Sequence, residues 1–295
     1  MSARKFKGTG VALITPFQQN KTIDFKALEK LVDFVIEGGV DYLVALGTTG
    51  ETPTLSTPEK LDILINIIEK TNKRVPIVCG IGGSNTAEIV KQFEVYPMDK
   101  VDAILSVSPS YNKPSQAGIV AHYKEINKHC PVPIILYNVP SRTASNMTAA
   151  TTLQLANECE NIIAMKEASG IMNQCMELVK NRPKHFTLLS GDDNLALPLV
   201  ACGFDGVISV AANAFPKHMK DMIQSALHHA FSHAQKVQYQ LLDGINLLFA
   251  EGNPSGVKCA MSEMGLCANE LRLPMVPVSA TTHELIKKFL KELEN

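Results

Sequence analysis

Short apolar runs rich in valine, isoleucine and leucine alternate along the chain with longer amphipathic stretches. The short runs are typical of buried strands, and the stretches between them carry apolar residues at helical spacing, as Leu28, Leu31, Val32 and Val35 do. The pattern therefore predicts eight strand–helix units. The predicted strands are residues 11–17, 42–46, 75–81, 103–107, 134–138, 162–166, 187–190 and 206–210.

The order of these elements predicts the fold class. Strands that alternate with helices pair in parallel and are joined by right-handed crossovers. Eight such units predict an α/β fold of the closed (β/α)8 type, the TIM barrel, and 295 residues suffice for one barrel with an addition. A doubly wound open sheet is the alternative. It is disfavoured because no Gly-x-Gly-x-x-Gly motif follows the first strand.

The repeating pattern stops near residue 228. Further helices are predicted at 231–251, 255–264 and 282–293, with a proline-rich stretch at 273–277. No low-complexity linker separates them from the preceding units. We therefore expect a catalytic barrel over residues 1–228 and a C-terminal helical extension over 229–295, packed on the barrel and available for contacts between subunits.

Composition narrows the class of protein. Hydrophobic residues make up 45% of the chain and charged residues 19%, which is typical of globular proteins. A net charge of -1 gives no basic excess for nucleic-acid binding. The 7 cysteines form no Cys-x-x-Cys motif, and neither a signal peptide nor a membrane-spanning stretch is evident. We expect a soluble cytoplasmic protein that binds neither nucleic acid nor membrane.

Active sites of such barrels lie at the carboxyl ends of the strands, so the residues that end each strand are the candidates for chemistry. Lys166 ends the sixth predicted strand. It could reach solvent there or pair with an acid. If its side chain points into the barrel, desolvation favours a free amine, which can form a Schiff base with a carbonyl compound.

Tyr137 ends the fifth strand, which neighbours the sixth in a barrel, and Arg142 follows in the next loop. Each has an ordinary explanation, as a core tyrosine with a satisfied hydroxyl and as a solvated loop cation. Close to Lys166, however, a phenol could transfer protons, and a guanidinium could bind a carboxylate through two hydrogen bonds.

A second candidate segment, Gly-Thr-Thr-Gly-Glu at 47–51, follows the second strand. Its glycines allow close backbone approach, and its hydroxyls and amides suit a carboxylate or phosphate. A generic turn is the alternative, because the segment is not a Walker sequence. Tyr111, in the loop after the fourth strand, reads by itself as an ordinary loop tyrosine.

The acidic and histidine clusters do not indicate a metal. Asp192 and Asp193 follow the seventh strand without a third ligand at suitable spacing, and helix capping explains them more simply. His229 and His233 are four residues apart but have no catalytic glutamate between them. We expect neither a metal nor a bound cofactor.

The strand-end motifs occur together and in order. They are Gly-Thr-Thr-Gly-Glu at 47–51, Tyr-Asn-Val-Pro-Ser-Arg-Thr at 137–143 and Lys-Glu-Ala-Ser-Gly at 166–170. With them, essentially the whole chain resembles the class I pyruvate-dependent aldolases of the N-acetylneuraminate lyase superfamily. Any one motif alone would be weak, whereas the combination is highly specific.

The resemblance implies a role for each candidate residue. Lys166 would form the Schiff base with pyruvate. Protons would be relayed by Thr48, Tyr137 and Tyr111, the last supplied by a neighbouring subunit. The substrate-binding positions would be Thr49 for the pyruvate carboxylate, Arg142 for the carboxylate of the second substrate, Gly191, and the backbone carbonyl of Ile208.

The resemblance also implies a reaction. The chain would be a lyase that condenses pyruvate with L-aspartate 4-semialdehyde to 4-hydroxy-tetrahydrodipicolinate in diaminopimelate and lysine biosynthesis. It would work as a homotetramer, a dimer of dimers, with no cofactor beyond the covalent imine on Lys166. Arg142 favours this reaction over aldol cleavage of keto-sugar acids, which is the alternative. A non-catalytic keto-acid-binding barrel is a second alternative, disfavoured because it would not need the complete relay.

One feature differs from those members of the superfamily that L-lysine inhibits. Ser110 stands where they carry a tyrosine, and Ser84, Thr57 and Lys60 occupy other matching positions, whereas Glu88 is retained. A cation at Lys60 would repel an ammonium-bearing ligand. We therefore predict weak or absent inhibition by L-lysine.

Overall fold

The computed structural model describes residues 3–293, and its eight strands are all parallel and close into one barrel. Each strand pairs with its neighbours in chain order, and the first pairs with the last through Gly10 and Ile208. The (β/α)8 prediction is therefore confirmed over the open sheet. The strands are β1 Gly8–Ala12, β2 Tyr42–Ala45, β3 Ile77–Gly80, β4 Ala103–Val107, β5 Ile134–Asn138, β6 Ile162–Glu167, β7 Thr187–Ser190 and β8 Gly206–Ser209.

The first strand lies earlier in the chain than predicted, at Gly8–Ala12 instead of 11–17. The apolar run that suggested the later position continues past the strand, and Leu13, Ile14 and Phe17 are buried residues of the loop that follows. The observed strand has few large apolar side chains because there is no room for them next to the neighbouring strand. A Cβ atom on Gly10 would lie 2.2 Å from the ring of Tyr42.

Helices surround the barrel and occupy the stretches between the strands, as predicted. Their ranges are α1 Phe25–Glu37, α2 Thr57–Thr71, α3 Thr86–Val95, α4 Gln116–His129, α5 Pro140–Thr143, α6 Ala149–Glu158, α7 Met172–Asn181, α8 Ala196–Ala201 and α9 Pro216–Leu227. Helix α2 begins with a capping box, in which the side chains of Ser56 and Glu59 each accept a hydrogen bond from the other residue's backbone N–H. The single turn of α5 was not predicted, and it carries Arg142.

The C-terminal extension consists of α10 Phe231–Phe249, α11 Ser255–Glu263 and α12 Ala280–Leu293. Helix α10 packs against α9 and α12, and α11 is almost entirely buried. The division into 1–228 and 229–295 remains a prediction, and its outer ends, residues 1–2 and 294–295, lie outside the described residues. No helix among residues 3–293 is both long and apolar enough to cross a membrane.

Buried side chains fill the interior of the barrel at its amino-terminal end. Phe6, in a 3-10 turn before β1, packs edge-to-face on Tyr42 with ring centroids 5.6 Å apart. Above these rings, Val44, Val78 and Ile135 belong to the same buried cluster. The cavity at the carboxyl ends of the strands lies beyond this filled interior.

Candidate active site

A cavity of about 300 Å³ lies at the carboxyl ends of the strands, where barrel enzymes bind their substrates. Its lining includes six of the eight predicted site residues: Thr48, Thr49, Tyr137, Arg142, Lys166 and Gly191. The other lining residues are Ala12, Gly47, Leu105, Val139, Ser141, Ala168, Asp192, Asn194, Val210, Phe249 and Asn253. One cavity thus brings together residues from every part of the chain.

Lys166 lies inside the barrel rather than at its surface. It is 5% exposed, and within the described residues no carboxylate pairs with it. Its register partner on the neighbouring strand is Tyr137, and its Nζ lies 4.4 Å from the centre of that ring. The two ordinary explanations of a strand-end lysine, solvation and an acid partner, therefore do not apply.

Tyr137 is buried, and its hydroxyl makes no hydrogen bond within residues 3–293. A core tyrosine normally satisfies its hydroxyl, so this group is available to a bound molecule. Tyr137 and Lys166 share one wall of the cavity, as adjacent strand ends predict.

Gly191, at the end of β7, leaves the space that Lys166 occupies. A Cβ atom built on Gly191 would lie 2.9 Å from the Cε atom of Lys166 and 2.7 Å from the Cβ atom of Ala168. Any larger residue would push the lysine side chain out of its place. The role of Gly191 in this geometry is therefore steric.

The segment 47–51 forms a 3-10 turn that places Thr48 half-buried and Thr49 buried at the cavity. The Oγ1 atom of Thr49 accepts a hydrogen bond of 3.0 Å from Nδ2 of Asn253. Asn253 belongs to the C-terminal extension and also lines the cavity. No sequence pattern pointed to this residue, since it lies between two predicted helices more than 200 residues from Thr49.

A buried ion pair holds the end of the same segment. Lys258 of α11 donates to Glu51 at 2.5 Å, with side-chain exposures of 0% and 1%. Glu51 also accepts from the backbone N–H of Arg272 at 3.0 Å, and Lys258 donates to the carbonyl oxygen of Glu270 at 2.8 Å. Desolvation lowers the pKa of Lys258, although the Glu51 charge opposes this. The extension is thus anchored to the threonine segment.

Arg142 is exposed at the rim of the cavity, on α5. Within residues 3–293 no acid pairs with its guanidinium group. Arg142 and Lys166 are therefore two basic side chains at one cavity, and no carboxylate among the described residues pairs with either of them. Such a site favours anionic ligands.

Two predicted residues do not reach the cavity of their own chain. Tyr111 is 95% exposed, and its φ of 69° places it in the left-handed region. Ile208 is fully buried in the barrel interior, and Val210, two residues later, lines the cavity instead. The exposed position of Tyr111 suits a residue that serves another subunit.

The acidic pair after β7 has structural partners. Oδ2 of Asp193 accepts from the backbone N–H groups of Val210 and Ala211, both at 3.0 Å, and burial raises the pKa of its carboxyl. Asp192 accepts from the N–H of Asn194 at 3.0 Å. No group of three or more potential metal-binding side chains occurs among residues 3–293.

Fold and cavity together define a barrel enzyme with a buried lysine at the centre of its site. Residues 5–293 match the dihydrodipicolinate synthetase family, and the chain belongs to that family. This confirms the resemblance inferred from the three motifs.

Relatives match over nearly the whole chain. It is 46% identical over 293 residues to the 4-hydroxy-tetrahydrodipicolinate synthase of Parabacteroides distasonis, covering 99% of each. It is 50% identical over 284 residues to the synthase of the same name from Azobacteroides pseudotrichonymphae, covering 96% of each. The crystal structure of dihydrodipicolinate synthase from Aquifex aeolicus superposes with a TM-score of 0.95 at 39% identity, covering 98% of both chains.

Proposed function

We propose that this protein condenses pyruvate with L-aspartate 4-semialdehyde to 4-hydroxy-tetrahydrodipicolinate, a step of diaminopimelate and lysine biosynthesis. Relatives that bear the name of this activity match the chain from end to end. The observation that carries the proposal is the buried Lys166 beside Tyr137, in a cavity that also holds Thr49 and Arg142.

The Lys166 amine would attack C2 of pyruvate and release water to form an iminium ion. The iminium carbon withdraws electrons, so a methyl proton can leave and give an enamine. The enamine carbon then attacks the aldehyde carbon of the second substrate. Finally, the amino group of the product attacks the imine carbon and frees Lys166, so no bound cofactor is needed.

The proton steps need a relay near the imine. The hydroxyl of Tyr137 has no partner within residues 3–293, and Thr48 lines the same cavity. The third member, Tyr111, would come from a neighbouring subunit.

Both substrates carry carboxylates, and the cavity offers a separate group to each. Thr49 accepts its hydrogen bond from Asn253, so its own hydroxyl proton is available to the pyruvate carboxylate. Arg142, at the rim, would bind the carboxylate of the semialdehyde. Gly191 leaves room for the imine, and at the end of β8 the cavity wall is formed by Val210 instead of Ile208.

Borohydride reduction in the presence of pyruvate tests the chemistry. We expect a stable pyruvate adduct on the peptide that contains Lys166, detected by mass spectrometry. A protein without that adduct would not use a Schiff base. Rates with aspartate semialdehyde and with keto-sugar acids then separate the synthase from an aldolase of sugar acids, while an adduct without turnover on any aldehyde would indicate a keto-acid-binding barrel.

We also propose a homotetramer built as a dimer of dimers, in which Tyr111 crosses one interface. Its support is the almost complete exposure of Tyr111 in the single chain. Coexpression of Lys166→Ala and Tyr111→Phe subunits provides a test. Each variant alone should be nearly inactive, whereas the mixture should regain about a quarter of the wild-type activity, because each mixed dimer contains one intact site. No recovery would show that Tyr111 acts within its own chain.

A further inference from the structure

Glu167 directly follows Lys166 on β6, and its side chain therefore points to the opposite face of the strand, towards the helices. It is 1% exposed, and within residues 3–293 no cation pairs with it. Burial raises the pKa of its carboxyl. A buried acid without a counter-ion is costly, so a specific set of hydrogen bonds must hold it.

The two carboxyl oxygens of Glu167 accept hydrogen bonds from three N–H groups. The backbone N–H of Ser169 lies 2.7 Å from Oε1, and Nε2 of Gln174 lies 3.0 Å from Oε2. Nδ2 of Asn138 lies 3.2 Å from both oxygens. These bonds connect β5, β6 and α7.

The backbone of Met147 fixes the orientation of both amides. Its N–H donates to Oδ1 of Asn138 at 3.0 Å, and its carbonyl oxygen accepts from Nε2 of Gln174 at 3.1 Å. Neither amide can turn over without setting donor against donor or acceptor against acceptor. Position 167 therefore requires a group that only accepts.

This set of hydrogen bonds lies directly behind the catalytic wall. Asn138 and Glu167 are register partners, as are Tyr137 and Lys166 one residue earlier. Met147 closes the segment that begins with α5 and carries Arg142. The backbone carbonyl of Glu167 also accepts from the N–H of Gly191 at 2.7 Å.

We propose that Glu167 is a positioning residue for the reaction, whose acceptor-only carboxylate aligns Lys166, Tyr137 and Arg142 from behind the barrel wall. The inference rests on the proposed function, because it assigns those three side chains to one reaction. Glu167 itself does not line the cavity and would touch no substrate.

Glu167→Gln tests the proposal, because it preserves size while placing an NH2 group against fixed donors. We expect kcat to fall by about 10²-fold, as for a misplaced catalytic group, with a much smaller change in the KM for pyruvate. Borohydride trapping of pyruvate on Lys166 should slow in parallel. The control is Glu177→Gln, which removes the same charge from the exposed side of α7 and should leave kcat unchanged.

A second substitution separates positioning from a general loss of stability. Asn138→Asp sets two acceptor-only groups against each other, so adding Glu167→Gln to it should raise kcat rather than lower it further, while the donors of Ser169 and Gln174 keep it below the wild-type value. This comparison decides even if Glu167→Gln alone does not fold. A folded Glu167→Gln enzyme within threefold of the wild-type kcat, or an equal loss in both backgrounds, would overturn the proposal. If wild-type protein is not trapped with pyruvate, the proposed function fails instead.

Discussion

The two ends of the barrel differ in whether their charged side chains have a partner of opposite charge. At the amino-terminal end, Asp41, Asp102 and Asp205 each stand immediately before a strand, namely β2, β4 and β8. Each carboxylate accepts from a backbone N–H of the adjacent strand. The bonds run from Thr9 to Asp41 at 2.8 Å, from Ile77 to Asp102 at 2.7 Å and from Leu188 to Asp205 at 3.1 Å.

Each of these aspartates also has a cation. Lys220 pairs with Asp41, Lys5 pairs with Asp102, and Asp205 is bound by both Lys7 and Arg182. At the carboxyl-terminal end, Lys166 and Arg142 have no acid partner within the described residues. Charges are therefore neutralised where they join strands and left available where a substrate would bind, as expected when stability and catalysis occupy opposite faces of a barrel.

Replacing Lys166 should have the largest effect on activity. It should also show most clearly that the carboxyl-terminal end serves catalysis and not stability. Lys166→Met removes the only proposed nucleophile, so kcat should fall by roughly 10³-fold or more. The thermal midpoint should stay the same or rise, because an apolar side chain replaces a buried amine without a partner. Kinetics and calorimetry on the same preparation measure both effects. A marked loss of stability would show that Lys166 also supports the fold.

Lys258 is the exception at the carboxyl-terminal end, since its charge is paired. Lys258→Met should lower the free energy of unfolding by about 3–5 kcal/mol, because Glu51 is left buried without a counter-ion. Denaturant titration measures this change. Adding Glu51→Leu should recover most of the stability but not the KM for pyruvate, because the segment that holds Thr49 loses its anchor. Full recovery of both would assign the pair to folding alone.

The sequence predicted most of the strands but only part of the cavity. The bounds of β4, β5 and β7 agree with the prediction because apolar side chains mark them, whereas β1 was misplaced because Gly10 must stay small. Strand-end residues could be grouped because adjacent strands end at the same face. Asn253 and Lys258 could not be found, because the packing of a distant extension, and no local pattern, brings them to Thr49 and Glu51.

Asp205 should show the opposite behaviour from Lys166. Asp205→Asn removes the charge that faces Lys7 and Arg182, so the free energy of unfolding should fall by about 3 kcal/mol. The kcat at 25 °C should not change, because the residue lies at the far end of the barrel. Asp99→Asn serves as the control, because Asp99 is an exposed acid in the 3-10 turn before β4. A fall in kcat with unchanged stability would contradict the assignment of stability to the amino-terminal end and catalysis to the carboxyl-terminal end.

The smallest expected effect concerns L-lysine at the carboxyl-terminal side. A second cavity of about 110 Å³ adjoins Thr48 and Tyr137, and Lys60 lies in its wall. Glu88, the retained acid, pairs with Lys91 at 2.9 Å and does not line this cavity, and Ser84 and Ser110 bond to each other's loops.

An ammonium-bearing ligand would therefore meet an unfavourable charge beside the proton relay. Activity should be unchanged by millimolar L-lysine, while Lys60→Gln should allow weak inhibition. A submillimolar inhibition constant for the wild-type protein, equivalent to an affinity above about 4 kcal/mol, would contradict this reading. It would also show that the charge at Lys60 does not control which ligands approach this side of the barrel.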